Sequence, residues 1–171
     1  GETLVHRVVR LALETSPAQV QVVVGANAEL ISAGVTDLEC EVVSNSDWRA
    51  GMAGSLHVAG ELLSADVRRG RGLVGDQPAL ERHQLGALRE GASAVESGCA
   101  ATAHDDALGV PAVVPRGWFE SMQVAGDRGF GARLGQQRAA GIFQLDAPEL
   151  GMDIDSREDL ANARRMGWID G

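Results

Sequence analysis

The chain has 171 residues, a formal net charge of −9, 44% hydrophobic residues and 15 basic residues, all of them arginine. That length is enough for one domain with its own core, and the acidic balance argues against a non-specific nucleic-acid binder. No apolar run approaches the ~20 residues of a membrane span and no signal peptide is visible; Cys40 and Cys99 lack metal or redox spacing, which fits reduced core thiols in a soluble cytoplasmic protein.

The chain opens inside a helical pattern. Glu2–Glu14 carries Val5, Val8, Val9 and Ala12 at helical spacing, and a start of that kind reads as a fragment. Val20–Gly25 is a continuous apolar run, the pattern of a buried parallel strand. A short helix is expected over Ala26–Ala33 and a second strand over Cys40–Asn45. Gly51–Ser64 places Met52, Leu56, Ala59, Leu62 and Leu63 on one helical face. A short strand is expected over Arg71–Asp76. Pro78 sits where the first turn of a helix accepts proline, with the helix running to about Arg89.

Ser93–His104 reads as another strand, bent at Gly98, and Gly109–Pro115 as an extended, proline-punctuated segment. Helical pieces follow near Gly117–Val124 and Arg128–Arg138, then a strand over Gly141–Asp146. The last helix falls within Asp153–Gly167, with Ser156 as N-cap, Glu158 and Asp159 in its first turn and Arg164 and Arg165 in its last. This alternation predicts a single three-layer α/β/α domain with a mostly parallel sheet.

Gly70, Gly72 and Gly75 spell G-x-G-x-x-G, the dinucleotide fingerprint. That motif requires a strand before the glycines and a helix opening within them. Here a helix and a turn precede Gly70, and Leu73 and Val74 between the glycines look like strand. The fingerprint is therefore set aside. Asp76, just past a strand's C-terminal end, can hold a divalent cation on a nucleotide or cap the helix that follows.

Five stretches in order, Asn45–Leu56, Leu73–Pro78, Gly109–Arg116, Gly126–Gly129 and Asp153–Leu160, together resemble the molybdenum cofactor cytidylyltransferase family of nucleotidyltransferases. The resemblance spans nearly the whole chain and implies a Rossmann-like nucleotidyltransferase fold. It also implies transfer of a nucleotidyl group from a nucleoside triphosphate, typically CTP, to the phosphate of molybdopterin, with pyrophosphate released. Alignment, Mg²⁺ and positive charge on the phosphates carry such chemistry. By position, Asp76 resembles the principal Mg²⁺ ligand, and Asp153 or Asp155 the second, with Asp153 favoured. Gly51 and Ser55 lie where the wider superfamily contacts the base, and Gly75 beside the cation. Met52 reads as helix packing, Trp48 as a stacking face or a lid on the core. Arg116 and Arg128 are candidate phosphate or pterin contacts, and His104–Asp106 reads as a solvated turn.

Three departures stand out. Such proteins begin with a central strand and a Gly-rich loop carrying an arginine and a lysine. This chain starts after that unit and has no lysine, so it is expected not to bind nucleotide competently by itself. Arg71 and its flanking glycines occupy a strand that should be apolar, and Arg157 stands where the family often has proline. Two further functions fit: an oxidoreductase-labelled relative, or a non-catalytic maturation protein that holds the molybdenum cofactor for insertion into a molybdenum hydroxylase.

Overall fold

The computed structural model describes residues 2–104, 107–122, 129–138 and 141–169. In chain order the elements are α1 (Leu4–Leu13), β1 (Gln21–Val24), α2 (Ala28–Ala33), β2 (Glu41–Ser44), α3 (Met52–Glu61), β3 (Arg69–Gly72) and α4 (Arg82–Ala94). Then come β4 (Ala100–His104), β5 (Ala107–Pro115), α5 (Arg116–Glu120), α6 (Gly131–Gln136), β6 (Phe143–Asp146) and α7 (Arg157–Arg165). Single 3₁₀ turns cover Trp48–Ala50 and Pro148–Gly151.

The strands form two sheets. β1 and β2 are parallel and joined through α2; the other four lie in the order β3-β5-β4-β6. β4 and β6 are parallel, whereas β5 runs antiparallel to both β3 and β4. The larger sheet is therefore mixed, because the proline-punctuated segment is a full strand that returns beside β4. The α/β class and its layering hold.

Alternation along the strands assigns the two faces. Ala101, Ala112 and Val114 pack with Trp118, Phe119, Phe130 and Leu134 of the α5–α6 layer. Ala100 and Val113 point the other way, onto Leu88 and Ala92 of α4. Beyond them Leu80, Leu85 and Leu150 meet Val8 and Leu11 of α1. Leu85 and Leu88 are fully buried, and each is worth roughly 1.5–3 kcal/mol of apolar burial. Phe119 and Phe130 meet edge to face with centroids 4.9 Å apart, a favoured quadrupole arrangement.

The same face explains the glycines of β3. A Cβ at Gly70 would lie 2.4 Å from Phe119 Cε2, and one at Gly72 3.0 Å from Phe130 Cε2. Both positions need glycine because two aromatic rings lie against the strand there. The first two glycines of G-x-G-x-x-G are thus inside a strand, and the next helix opens only at Arg82. The strand itself is shifted from the expected Arg71–Asp76: it ends at Gly72, and Leu73 and Val74 lie outside the ladder. At this level β5 has left β3 for β4, and Gln77 Nε2 takes the Val110 carbonyl at 2.9 Å.

The helix after Pro78 also starts later than its proline suggests. Its N-cap is Glu81, in a capping box with Gln84, whose Oε1 accepts from the Glu81 N–H at 2.8 Å. At the chain's end the expected cap is present, with Ser156 Oγ accepting from Asp159 N–H at 3.2 Å. Among the described residues no helix is long and apolar enough to cross a membrane, and both cysteines are free thiols.

Candidate active site

Asp76 sits in a turn beyond the C-terminal end of β3. It does not cap α4, since Glu81 does, five residues on. Its backbone carbonyl accepts from Ile154 N–H at 3.0 Å. Its Oδ1 is buried without a hydrogen-bond partner among the described residues. A buried carboxylate oxygen with no donor is costly, so the position calls for a cation or a ligand rather than a structural bond.

The Ile154 contact brings the Asp153–Asp155 segment alongside Asp76. Asp153 and Asp155 are exposed and Ile154 is half-buried, the period of two of an extended segment. Both carboxylates therefore share one side, and exposure does not single out Asp153 over Asp155. Asp155 N–H also donates to Asp159 Oδ2 at 3.3 Å, which ties this segment to the capping box of α7. Ser156 holds the Asp159 carboxyl below its ordinary value.

No group of three His, Cys, Asp or Glu side chains gathers to hold a metal among the described residues. Asp76 with Asp153 or Asp155 would be a sparse, all-oxygen donor set. Such a set suits Mg²⁺ or Mn²⁺, which complete their coordination with phosphate oxygens and water.

Gln77, which the sequence reading passed over, holds this arrangement together. It is 3% exposed. Its Nε2 donates to Val110 O at 2.9 Å and to Leu150 O at 2.7 Å. One side chain thus ties the Asp76 turn to β5 and to the 3₁₀ turn that leads into Asp153. Neighbouring bonds reinforce it: Gln84 Nε2 to Glu149 Oε1 at 2.6 Å and Arg7 Nη1 to Pro78 O at 2.7 Å. An amide between an acid and a proline, in otherwise apolar surroundings, was the available signal.

On the α3 side, Gly51 has φ +113°, a conformation that favours glycine, and precedes the first residue of the helix. Ser55 Oγ accepts from Asn45 Nδ2 at 3.0 Å, which leaves its own proton free to donate. Asn45 is buried, and its Oδ1 accepts from Asp47 N–H at 3.0 Å, so it fixes the end of β2 against α3. Met52 is 46% exposed, so it is not the buried packing residue expected. Trp48 lies over Gly25, where a Cβ would meet its side chain at 2.4 Å, and carries Arg49 4.4 Å above its ring. It covers the end of β1.

Ser55, Met52, Leu73 and Val74 line a cleft of about 610 Å³ between β1 and β3. Gly75 follows at its rim, exposed, with open space where a Cβ would stand. The cleft therefore links the α3 start to the run that leads into Asp76.

Arg116 is not part of this cluster. Its N–H donates to Arg68 O at 3.0 Å, at the start of β3. The antiparallel register pairs Arg69 with Pro115, so the sheet carries Arg116 to the end of β3 remote from Asp76, about 13 Å away along the strand alone. Its guanidinium is already engaged by Glu120 Oε1 at 2.7 Å and by the Ser64 carbonyl. Arg116, a candidate phosphate or pterin contact by sequence, therefore stands apart from the Asp76 cluster. Arg128, with Gly126 and Asp127, lies outside the described residues, as do Asp105 and Asp106 of the expected solvated turn.

The fold has known counterparts. Rv0371c from Mycobacterium tuberculosis H37Rv, in its complex with manganese, superposes with a TM-score of 0.75 at 22% identity, over 94% of this chain and 86% of that one. A nucleotidyl transferase from Methanothermobacter thermautotrophicus superposes at 0.78 with 19% identity, over 97% and 81%. The 4-diphosphocytidyl-2C-methyl-D-erythritol synthase of Anaerococcus prevotii superposes at 0.71 with 11% identity, over 95% and 89%. At these identities the likeness shows the fold alone. No curated protein matches the chain in sequence. The family model of the MobA-like NTP transferase domain matches residues 1–141, and on that match the chain belongs to the MobA-like NTP transferase family.

Proposed function

We propose that the chain is the catalytic domain of a cytoplasmic, Mg²⁺-dependent cytidylyltransferase that acts on molybdopterin. The observation that carries the reading is the Asp76 carboxylate. It is freed from any capping role, left with an orphaned buried oxygen, and tied by a backbone bond to a second acidic segment. The manganese in Rv0371c supports a divalent cation in this fold, and the erythritol-cytidylyl synthase supports CTP as donor.

In the proposed reaction a phosphate oxygen of molybdopterin attacks the α-phosphorus of CTP. A new P–O bond forms, the bond to the β-phosphate breaks, and pyrophosphate leaves with its electron pair. Asp76 and one of Asp153 or Asp155 would hold the cation, which supplies charge neutralisation on the phosphates when bound. Gln77 keeps the two acidic segments in register. Gly51 and Ser55 offer a close backbone approach and a free hydroxyl proton to the base, and Gly75 leaves room beside the phosphates. Arg128 is retained as a phosphate or pterin contact.

The test is pyrophosphate release from CTP, GTP or ATP with Mg²⁺ and molybdopterin. It is run on this chain and on the chain preceded by a Gly-rich phosphate loop of the family type. CTP-dependent release supports the reading; no release with any nucleotide in either form refutes it. Binding of molybdopterin, or of a molybdenum hydroxylase, without release would favour the maturation-protein alternative.

A further inference from the structure

Asn45 and Ser55 form a hydrogen-bond chain whose direction is set from one end. Asn45 is buried at the end of β2, where its N–H donates to Val24 O at 2.8 Å. Its side chain lies between two partners. Oδ1 accepts from the Asp47 N–H at 3.0 Å, and Nδ2 donates to Ser55 Oγ at 3.0 Å. A backbone N–H can only donate, so the Asp47 amide requires the oxygen of Asn45 on its side. The amide nitrogen is therefore the atom that faces Ser55, and an amide nitrogen also only donates. Ser55 Oγ is thereby an acceptor toward Asn45, and its single proton is directed elsewhere.

Other helical serines of this chain direct that proton back onto their own helix. Ser32 Oγ donates to Ala28 O at 2.7 Å and Ser93 Oγ to Arg89 O at 3.0 Å, each four residues back. Ser55 sits inside α3 as well, yet it makes no such bond among the described residues, because its Oγ is turned to Asn45. The polarity of the hydroxyl then separates the two pyrimidines. Cytosine carries a donor at N4 and acceptors at N3 and O2, whereas uracil carries an acceptor at O4, a donor at N3–H and the same O2. A donor hydroxyl therefore suits N3 of cytosine and faces a second donor at N3–H of uracil. A site built to hydrogen-bond one substrate group rejects an analogue that leaves the bond unmade.

Building on the nucleotidyl-transfer reading, which places Ser55 at the base, we propose that Asn45 is a positioning residue for base selection. It holds Ser55 as a hydrogen-bond donor, the Ser55 hydroxyl donates to N3 of cytosine, and uracil is rejected at N3–H. Asn45 itself touches no base. Its aspartate counterpart would reverse the chain: a carboxylate oxygen still accepts from the Asp47 N–H, but the other oxygen accepts from Ser55 as well. Ser55 would then offer the base only lone pairs, which suit N3–H of uracil and not N3 of cytosine.

The test compares Mg²⁺–CTP with Mg²⁺–UTP by isothermal titration calorimetry, on this chain and on the chain preceded by a Gly-rich phosphate loop of the family type. The parent should prefer CTP. Asn45→Asp should lower CTP affinity by about tenfold while UTP affinity holds or rises, so the preference collapses. The added charge acts alike on two triphosphates, so the CTP-to-UTP ratio reports the hydrogen bond and not the charge or a general loosening of the site. Ser55→Ala removes the donor and leaves the Asn45–Asp47 contact in place. It should lower CTP affinity by about three- to tenfold and spare UTP, which keeps the test open if Asn45→Asp does not fold. The proposal is overturned if the parent binds CTP without preferring it to UTP. It is also overturned if Ser55→Ala, or a folded Asn45→Asp, leaves the ratio at the parent value. Either result leaves the nucleotidyl-transfer reading standing, whereas no nucleotide binding by either form of the parent overturns both.

Discussion

Replacing Gln77 by Ala tests whether one side chain holds the two acidic segments together. The change removes both Nε2 bonds, to Val110 O and Leu150 O. Two carbonyls then lose a buried donor, at about 1–3 kcal/mol each. The Gln77 Oε1, buried without a partner, disappears too and returns about the same for one group. The net expectation is a loss of about 1–3 kcal/mol. For a chain of this size that is a fall in Tm of roughly 2–12 °C. Urea unfolding followed by circular dichroism measures it. The altered protein should also bind Mn²⁺ more weakly at temperatures where it remains folded, because the Asp76 turn is no longer tied to the segment before Asp153. A midpoint within about 0.5 kcal/mol of the parent, the range of ordinary surface substitutions, would refute the reasoning.

Gly91→Ala places a Cβ 2.1 Å from Phe143 Cγ, so α4 must lift from β6. Overpacking of this kind costs about 1–3 kcal/mol, read as a lower urea midpoint, and an unchanged midpoint would contradict the packing. His6 is hydrogen-bonded to Glu2 and Asp37, which raise its pKa above the ordinary 6.5. Its contribution is therefore full below 6.5 and is lost as pH rises through the raised value. His6→Ala should flatten the stability profile as pH rises above 6.5, most visibly at low salt. Glu2 behaves oppositely. Arg10 holds its carboxyl at about 2, below the ordinary 4.5, so its contribution is present above 4.5 and fades as pH falls toward 2. Glu2→Gln should remove that acid-side loss in a pH series of thermal melts.

Much of the architecture was legible because it is local. The apolar run at Val20–Gly25, the helical spacing of α1 and α3 and the Ser156 cap announce themselves within a few residues. What was not legible depended on partners far along the chain. Gly70 and Gly72 looked like defects in a strand until Phe119 and Phe130 were found against them. Pro78 suggested a helix start, but the capping box of Glu81 and Gln84 decides where α4 begins. Arg116 fits a phosphate or pterin contact by residue type, and only the antiparallel register of β3 and β5 shows that it stands at the end of β3 away from Asp76. Asp76 was readable as a candidate from its turn. That it is not a cap required the structure, as did the role of Gln77, whose acceptors lie 33 and 73 residues away.

The central claim is that the Asp76 carboxylate holds a divalent cation beside the acidic segment at Asp153–Asp155. Electron paramagnetic resonance of Mn²⁺ in the presence of CTP tests it directly, on the chain preceded by a Gly-rich phosphate loop of the family type and on the same protein carrying Asp76→Asn. The account predicts a protein-bound Mn²⁺ signal that Asp76→Asn loses by at least about tenfold in affinity, while the unfolding midpoint is unchanged or raised, because an orphaned buried charge has been removed. Equal Mn²⁺ binding by the two proteins would contradict it.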